Sequence, residues 1–158
     1  MPQTEGSSIS YSIETYQTVQ EEMRTLVGEH WEEIAVNKDK IKLNPDWESY
    51  ERLSDEGYLG IYTARSNGAL VGYFIVVATP NIHYKDHIFG VNDVLFLQKK
   101  YRKGLTGVKL IKFAERDLKE KGVSVLVINT KVHTPFDKIL ERMKYSLVER
   151  VYSKYIGE

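Results

Sequence analysis

The stretch Gln98-Lys99-Lys100-Tyr101-Arg102-Lys103-Gly104-Leu105-Thr106-Gly107 lies between an apolar run ending at Leu97 and a helix-patterned segment opening near Leu105. It is basic, with Lys99, Lys100, Arg102 and Lys103, and it contains two glycines. A helix N-terminus leaves N–H groups without intrahelical acceptors and carries roughly half a positive charge, so such a turn is suited to a phosphate. Gly104 and Gly107 let backbone approach an anion closely. A strand, a tight turn and a helix in immediate succession restrict the chain to architectures that combine sheet and helix.

Hydrophobic period separates the remaining elements. A short strand is expected over residues 9–13, then a helix with Tyr16, Val19, Met23, Leu26 and Val27 on one face and Gly28 as its stop. After an aperiodic stretch over 29–43, Asn44 as cap and Pro45 in the first helical position predict a second helix to about Glu56, closed by Gly57. Residues 58–64 and 70–77 read as strands joined by Asn67-Gly68, the pair with the strongest hairpin bias. A third strand over 88–97 follows the polar link 80–87 and completes an antiparallel meander.

Val108, Leu110, Ile111, Ala114 and Leu118 recur at helical spacing before Gly122. The nearly continuous apolar run 123–128 predicts a strand buried on both faces in mid-sheet. Pro135 opens a short helix through Met143, and residues 145–156 read as a last, alternating strand. The order is β-α-α-β-β-β-α-β-α-β.

A chain of 158 residues fits one domain, here residues 1–158, with 1–8 as a polar, loose arm. Twenty-two Lys and Arg offset 22 Asp and Glu, so no global field favours a polyanion or an anionic membrane. With no Cys, disulfides, thiolate nucleophiles and the usual structural zinc sites are excluded, and no metal is expected. No apolar run approaches the roughly 20 residues of a membrane span, and the opening residues lack the pattern of a signal peptide. The expectation is a cytoplasmic, soluble protein.

The loop 98–107 and the order of elements around it resemble the GNAT acetyltransferases, whose acetyl-CoA signature is an Arg or Gln followed at fixed spacing by two small residues. Arg102 takes the first position of that signature, Gly107 the last, and Val108-Lys109-Leu110-Ile111 continues in the usual apolar register. Leu105 stands where the first glycine is usual, and the wording of the loop is similar to that of phage-borne members. The resemblance covers residues 58–156. It implies a mixed, mostly antiparallel sheet of six or seven strands with about four helices, acetyl-CoA as co-substrate and an amine as acceptor; a homodimer is left open.

By the same resemblance, backbone groups of Leu95, Phe96 and Leu97 pair with the pantetheine arm as an added strand. Arg102, Lys103, Gly104, Leu105, Thr106, Gly107 and Val108 hold the pyrophosphate, and His133 stands where an asparagine is common. The tyrosine that often serves as acid is replaced by Leu140, and Tyr145 reads as core. Tyr152 and Tyr155 are alternatives on the expected last strand.

Transfer to an amine needs a group to take its proton. Asp93 interrupts the apolar strand and by period two shares the face of Leu95 and Leu97, which makes it a candidate base in a buried setting. His83 is the second candidate, in the link before that strand, with His87 and Tyr84 beside it. Two rival classes remain at this level: a nucleic-acid binder using the local basic patch, disfavoured by the balanced charge, and a non-catalytic acyl-CoA sensor, suggested by Leu105 and Leu140.

Overall fold

The computed structural model describes residues 8–158, so the arm expected over 1–8 lies, apart from Ser8, outside the described residues. The elements are β1 (Ile9–Ile13), α1 (Tyr16–Ile34), α2 (Trp47–Asp55), β2 (Leu59–Ser66), β3 (Ala69–Pro80), β4 (Ile88–Leu97), α3 (Thr106–Glu120), β5 (Val123–Val127) and α4 (Asp137–Arg142), with a 3-10 turn at Lys99–Tyr101. β1 to β4 pair antiparallel with their neighbours and β5 joins β4 in parallel, so the strands lie in chain order. The mixed, mostly antiparallel sheet and four α-helices agree with expectation. The sheet has five strands rather than six or seven among the described residues.

The hairpin turn forms at Asn67 and Gly68, both at positive φ, 49° and 85°. This backbone matches the right-handed twist of the strands it joins. Helices cover both faces of β2 to β4. On one face Tyr62, Phe74, Val76 and Leu97 pack with Leu110, Ile111, Ala114 and Leu118 of α3. On the other, Ile61, Tyr73, Ile75 and Phe96 pack with Tyr16, Val19, Met23 and Leu26 of α1. Each fully buried large apolar side chain contributes about 1.5–3 kcal/mol.

Four local expectations are corrected. α1 continues through Gly28 to Ile34, because His30, 4% exposed, stacks on Phe96 at 4.8 Å between ring centroids and holds the extra turns to the sheet. That packing outweighs the roughly 1 kcal/mol a glycine costs a helix. α2 is capped by Asp46 rather than Asn44: its carboxylate accepts from the Ser49 N–H at 3.0 Å and the Ser49 hydroxyl at 2.6 Å. Gly57, at φ 78°, closes the helix as expected.

β5 lies at the sheet edge rather than in its middle, with Ser124 and Val125 exposed, because α3 covers only one side of it. Residues 145–156 form no strand. Their apolar members come as the adjacent pairs Leu147-Val148 and Val151-Tyr152, so in an extended chain neither face collects them, and all four are at least 79% exposed.

Candidate active site

β4 and β5 pair from Ile88 and Val123 to Val91 and Val127, then part. β4 runs on to Leu97 along β3, so among the described residues the edge of Asn92 to Leu97 that faces away from β3 has no partner strand over about 20 Å at about 3.3 Å per residue. The Asn92 side chain spans the parting: its Oδ1 accepts from the Asn129 N–H at 2.7 Å and the Asn129 amide at 3.2 Å. The wedge beyond it is a sheet edge open to an extended ligand. Leu95, Phe96 and Leu97 lie on it.

The loop 98–107 closes the wide end of the wedge. Gly104 sits at φ 76°, where a side chain is strained, and thereby makes the tight turn. Leu105 has an ordinary φ of −105° and a side chain 62% exposed. The tight turn thus falls at Gly104, one residue before the position where the resemblance has its first glycine. Thr15 and Asp46 cap α1 and α2 with their side chains, whereas among the described residues α3 has no side-chain cap, so its first-turn N–H groups remain available to an anion. A Cβ on Gly107 would meet nothing nearer than Leu97 Cδ2 at 4.0 Å, so the helix mouth is open toward the end of β4. The Tyr11 hydroxyl donates to the Thr106 carbonyl at 3.2 Å and anchors this turn to β1.

Arg102 is committed elsewhere. Its guanidinium forks onto both oxygens of Glu33 at 2.6 and 2.7 Å, and its Nε donates to the Leu97 carbonyl at 2.6 Å. The Arg102 bond holds the Glu33 carboxyl below the usual carboxylate range despite its partial burial. The residue therefore ties the loop to α1 and to the end of β4, and takes the Leu97 carbonyl out of the open edge. Lys99, Lys100 and Lys103 supply the loop's remaining positive charge; none of them forms a salt bridge among the described residues.

Ile75 pairs with Val94 and Val76 with Asn92, which leaves Asp93 as the extra residue of a β-bulge. The bulge overturns the expected face and burial of Asp93. Leu95 and Leu97 point to the α3 side, but the exposed Asp93 accepts a hydrogen bond from the Tyr50 hydroxyl of α2, on the opposite side. Burial, reinforced by the Asp93 bond, pushes the Tyr50 phenol well above its usual range, so Tyr50 acts as a donor.

Beside this pair a cavity of about 430 Å³ opens between α1, α2 and the sheet. Val27 and Trp31 of α1, Trp47 and Tyr50 of α2, Tyr73 of β3 and Val94 of β4 wall it, and residues 41–46 roof it. Behind it, His30 Nδ1 lies 3.2 Å from the Tyr73 hydroxyl. Burial pushes the His30 pKa down to about 4, so this ring is neutral at physiological pH.

The other sequence candidates lie apart from this constellation. His83 is exposed in the link at the start of β4, the end away from the loop, with its N–H on the Asn81 side chain at 2.9 Å. His87, also exposed, is 3.0 Å from the Ser124 hydroxyl. His133 is exposed beyond β5, while Leu140 is buried in the core against α3. The Tyr145 hydroxyl donates to Glu115 at 2.5 Å, and burial followed by that bond raises its pKa, in keeping with a core role. By sequence Glu33, with Glu29 and Glu32, reads as an acid that could attract a cationic amine or simply form a solvated helix face, and its pairing with Arg102 was not foreseen; His30 and Tyr73 were not singled out. Trp31, Trp47 and Tyr50, which by sequence could line an acceptor pocket or be core, all line this cavity.

No family model and no curated protein matches the sequence. Solved structures do match. Ribosomal-protein-alanine N-acetyltransferase from Brucella melitensis biovar Abortus 2308 superimposes with a TM-score of 0.70 at 20% identity, covering 95% of this chain and 100% of that one. An aminoglycoside acetyltransferase from an uncultured soil metagenomic sample, in complex with sisomicin, gives 0.73 at 15% identity, covering 95% and 96%. The fold is that of the GNAT acetyltransferases. Aminoglycoside N-acetyltransferase AAC(6')-Iy in complex with CoA shares this GNAT fold at a TM-score of 0.68 and 15% identity, covering 96% of this chain and 97% of that one. Among the described residues no helix of this GNAT-fold chain is long and apolar enough to cross a membrane.

Proposed function

We propose that the protein is an acetyl-CoA-dependent N-acetyltransferase that passes the acetyl group to a primary amine by direct attack in a ternary complex. The observation that carries this reading is the wedge between β4 and β5, closed at its wide end by an uncapped, glycine-turned helix mouth. The first-turn N–H groups of α3, with Lys103 beside them, take the pyrophosphate. Backbone of Leu95 and Phe96 pairs with the pantetheine arm. Arg102 serves by holding the loop in place through Glu33 and Leu97.

The amine attacks the thioester carbonyl carbon, a C–N bond forms, and the C–S bond breaks to leave a thiolate that takes up a proton. Asp93 accepts the amine's proton, directly or through water, and Tyr50 orients its carboxylate. A positioned general base contributes about 10²–10⁴ in rate. His83 is the second candidate base, and its position at the far end of β4 makes it the weaker one.

Release of free thiol from acetyl-CoA in the presence of a panel of primary amines tests the reading. The chain has no Cys, so a thiol reagent reports CoA without background from the protein. Amine-dependent thiol release is expected. Binding of acetyl-CoA with no release for any amine would instead support an acyl-CoA sensor.

A further inference from the structure

The cavity beside the Asp93 and Tyr50 pair has walls of one chemical kind. Trp31, Trp47, Tyr50 and Tyr73 present aromatic surface, with Val27 and Val94 between them. Among the described residues the charged groups on its lining are Lys42 and Asp46, and the Asp46 carboxylate accepts the bonds that cap α2. Two further cations lie over the tryptophans, Arg24 at 5.1 Å from the Trp47 ring and Lys38 at 5.2 Å from the Trp31 ring. Lys38 is paired with Glu32 at 3.3 Å, so the lining offers an ammonium group mainly aromatic surface and few carboxylates, and a polycation would leave most of its charges unmatched there. At about 430 Å³ the cavity is near the lower end of the roughly 300–1,000 Å³ usual for small-molecule sites.

We propose that the acceptor is a small monoamine with one compact apolar or aryl body. The body sits among Trp31, Trp47 and Tyr73, where removing it from water contributes about 25 cal/mol per Å² of apolar surface. Its nitrogen lies at the Tyr50 end, where the Asp93 carboxylate bonded to the Tyr50 hydroxyl receives its proton. This assignment rests on the acetyltransferase reading for the identity of the reaction, while occupancy of the cavity is a separate physical claim.

The chain has two tryptophans and both line this cavity, so intrinsic fluorescence reports its occupancy without acetyl-CoA and without turnover. The protein is titrated with 2-phenylethylamine and, separately, with spermidine, and Trp47→Phe and Trp31→Phe assign the signal. The expected result is a saturable fluorescence change with 2-phenylethylamine at a concentration at least tenfold below any change with spermidine, and a matching preference in kcat/KM. Equal or tighter binding of spermidine, or no saturable change with 2-phenylethylamine, overturns the proposal. Melting with acetyl-CoA is measured alongside. Stabilisation by acetyl-CoA without an effect of 2-phenylethylamine removes the acceptor class alone; the reverse pattern upholds the pocket's preference and removes the acetyl-transfer reading.

Discussion

The Tyr50 hydroxyl of α2 donates to the Asp93 carboxylate at the bulge of β4, joining the helix that walls the cavity to the strand that borders the wedge. A bulge re-aims a side chain without breaking the flanking ladder, and here it carries the carboxylate off the α3 face. Asp93→Asn keeps the shape and removes the basic oxygen. Turnover is expected to fall roughly a hundredfold or more with acetyl-CoA affinity nearly unchanged. Steady-state kinetics with a melting curve checks this. Equal losses of stability and cofactor binding would make Asp93 structural.

Gly107 offers a test of the helix mouth that spares the fold. Its position has room for a Cβ and no positive φ, so Gly107→Ala should melt within about 0.5–1 kcal/mol of the native chain, the usual scale of a Gly to Ala change. Gly107→Asp places an anion at the proposed pyrophosphate site and should weaken acetyl-CoA binding at least tenfold. Calorimetric titration of both variants decides it; unaltered binding by Gly107→Asp would misplace the loop.

The Arg102 and Glu33 pair is expected to behave as one unit. Glu33→Gln and Arg102→Gln should each lower stability by about 1 kcal/mol, and the double variant little further, because residues sharing one interaction are not additive. Denaturant unfolding of the four species measures the coupling. Acetyl-CoA affinity should fall in step, since this pair holds the loop against α1.

The scaffold was more legible than the site. Asn67-Gly68, the stops at Gly57 and Gly122 and the basic junction before α3 are local backbone requirements, so sequence displays them directly. The length of α1 depended on His30 meeting Phe96 across 66 positions, which no local pattern around Gly28 encodes. Asp93 was found by its oddity in an apolar strand, but its face depended on a one-residue bulge that period-two counting cannot anticipate. The pairing of Arg102 with Glu33 could not be read from the loop, because Glu33 lies on a distant helix.

His30 makes stability depend on acidity. Its folded pKa is about 4 against an ordinary value of 6.5, so between these values the unfolded chain binds the additional proton. Stability from the neutral ring is complete above about pH 6.5 and is lost as pH falls toward 4, up to about 3 kcal/mol for a shift of this size at 1.36 kcal/mol per pH unit. His30→Phe should flatten that part of the curve relative to the native chain. Unfolding free energies at pH 7, 5.5 and 4.5 provide the check, and identical slopes for the two proteins would contradict it.

The most direct measurement is the melting temperature of the native chain against acetyl-CoA concentration. A ligand bound by the folded state alone stabilises it by RT ln(1 + [L]/Kd), about 2.7 kcal/mol at a hundred times Kd. Melting temperature is predicted to rise steadily with the logarithm of acetyl-CoA concentration, and CoA fragments lacking the pyrophosphate should raise it far less. A melting temperature that stays flat through millimolar acetyl-CoA would contradict the account at its centre.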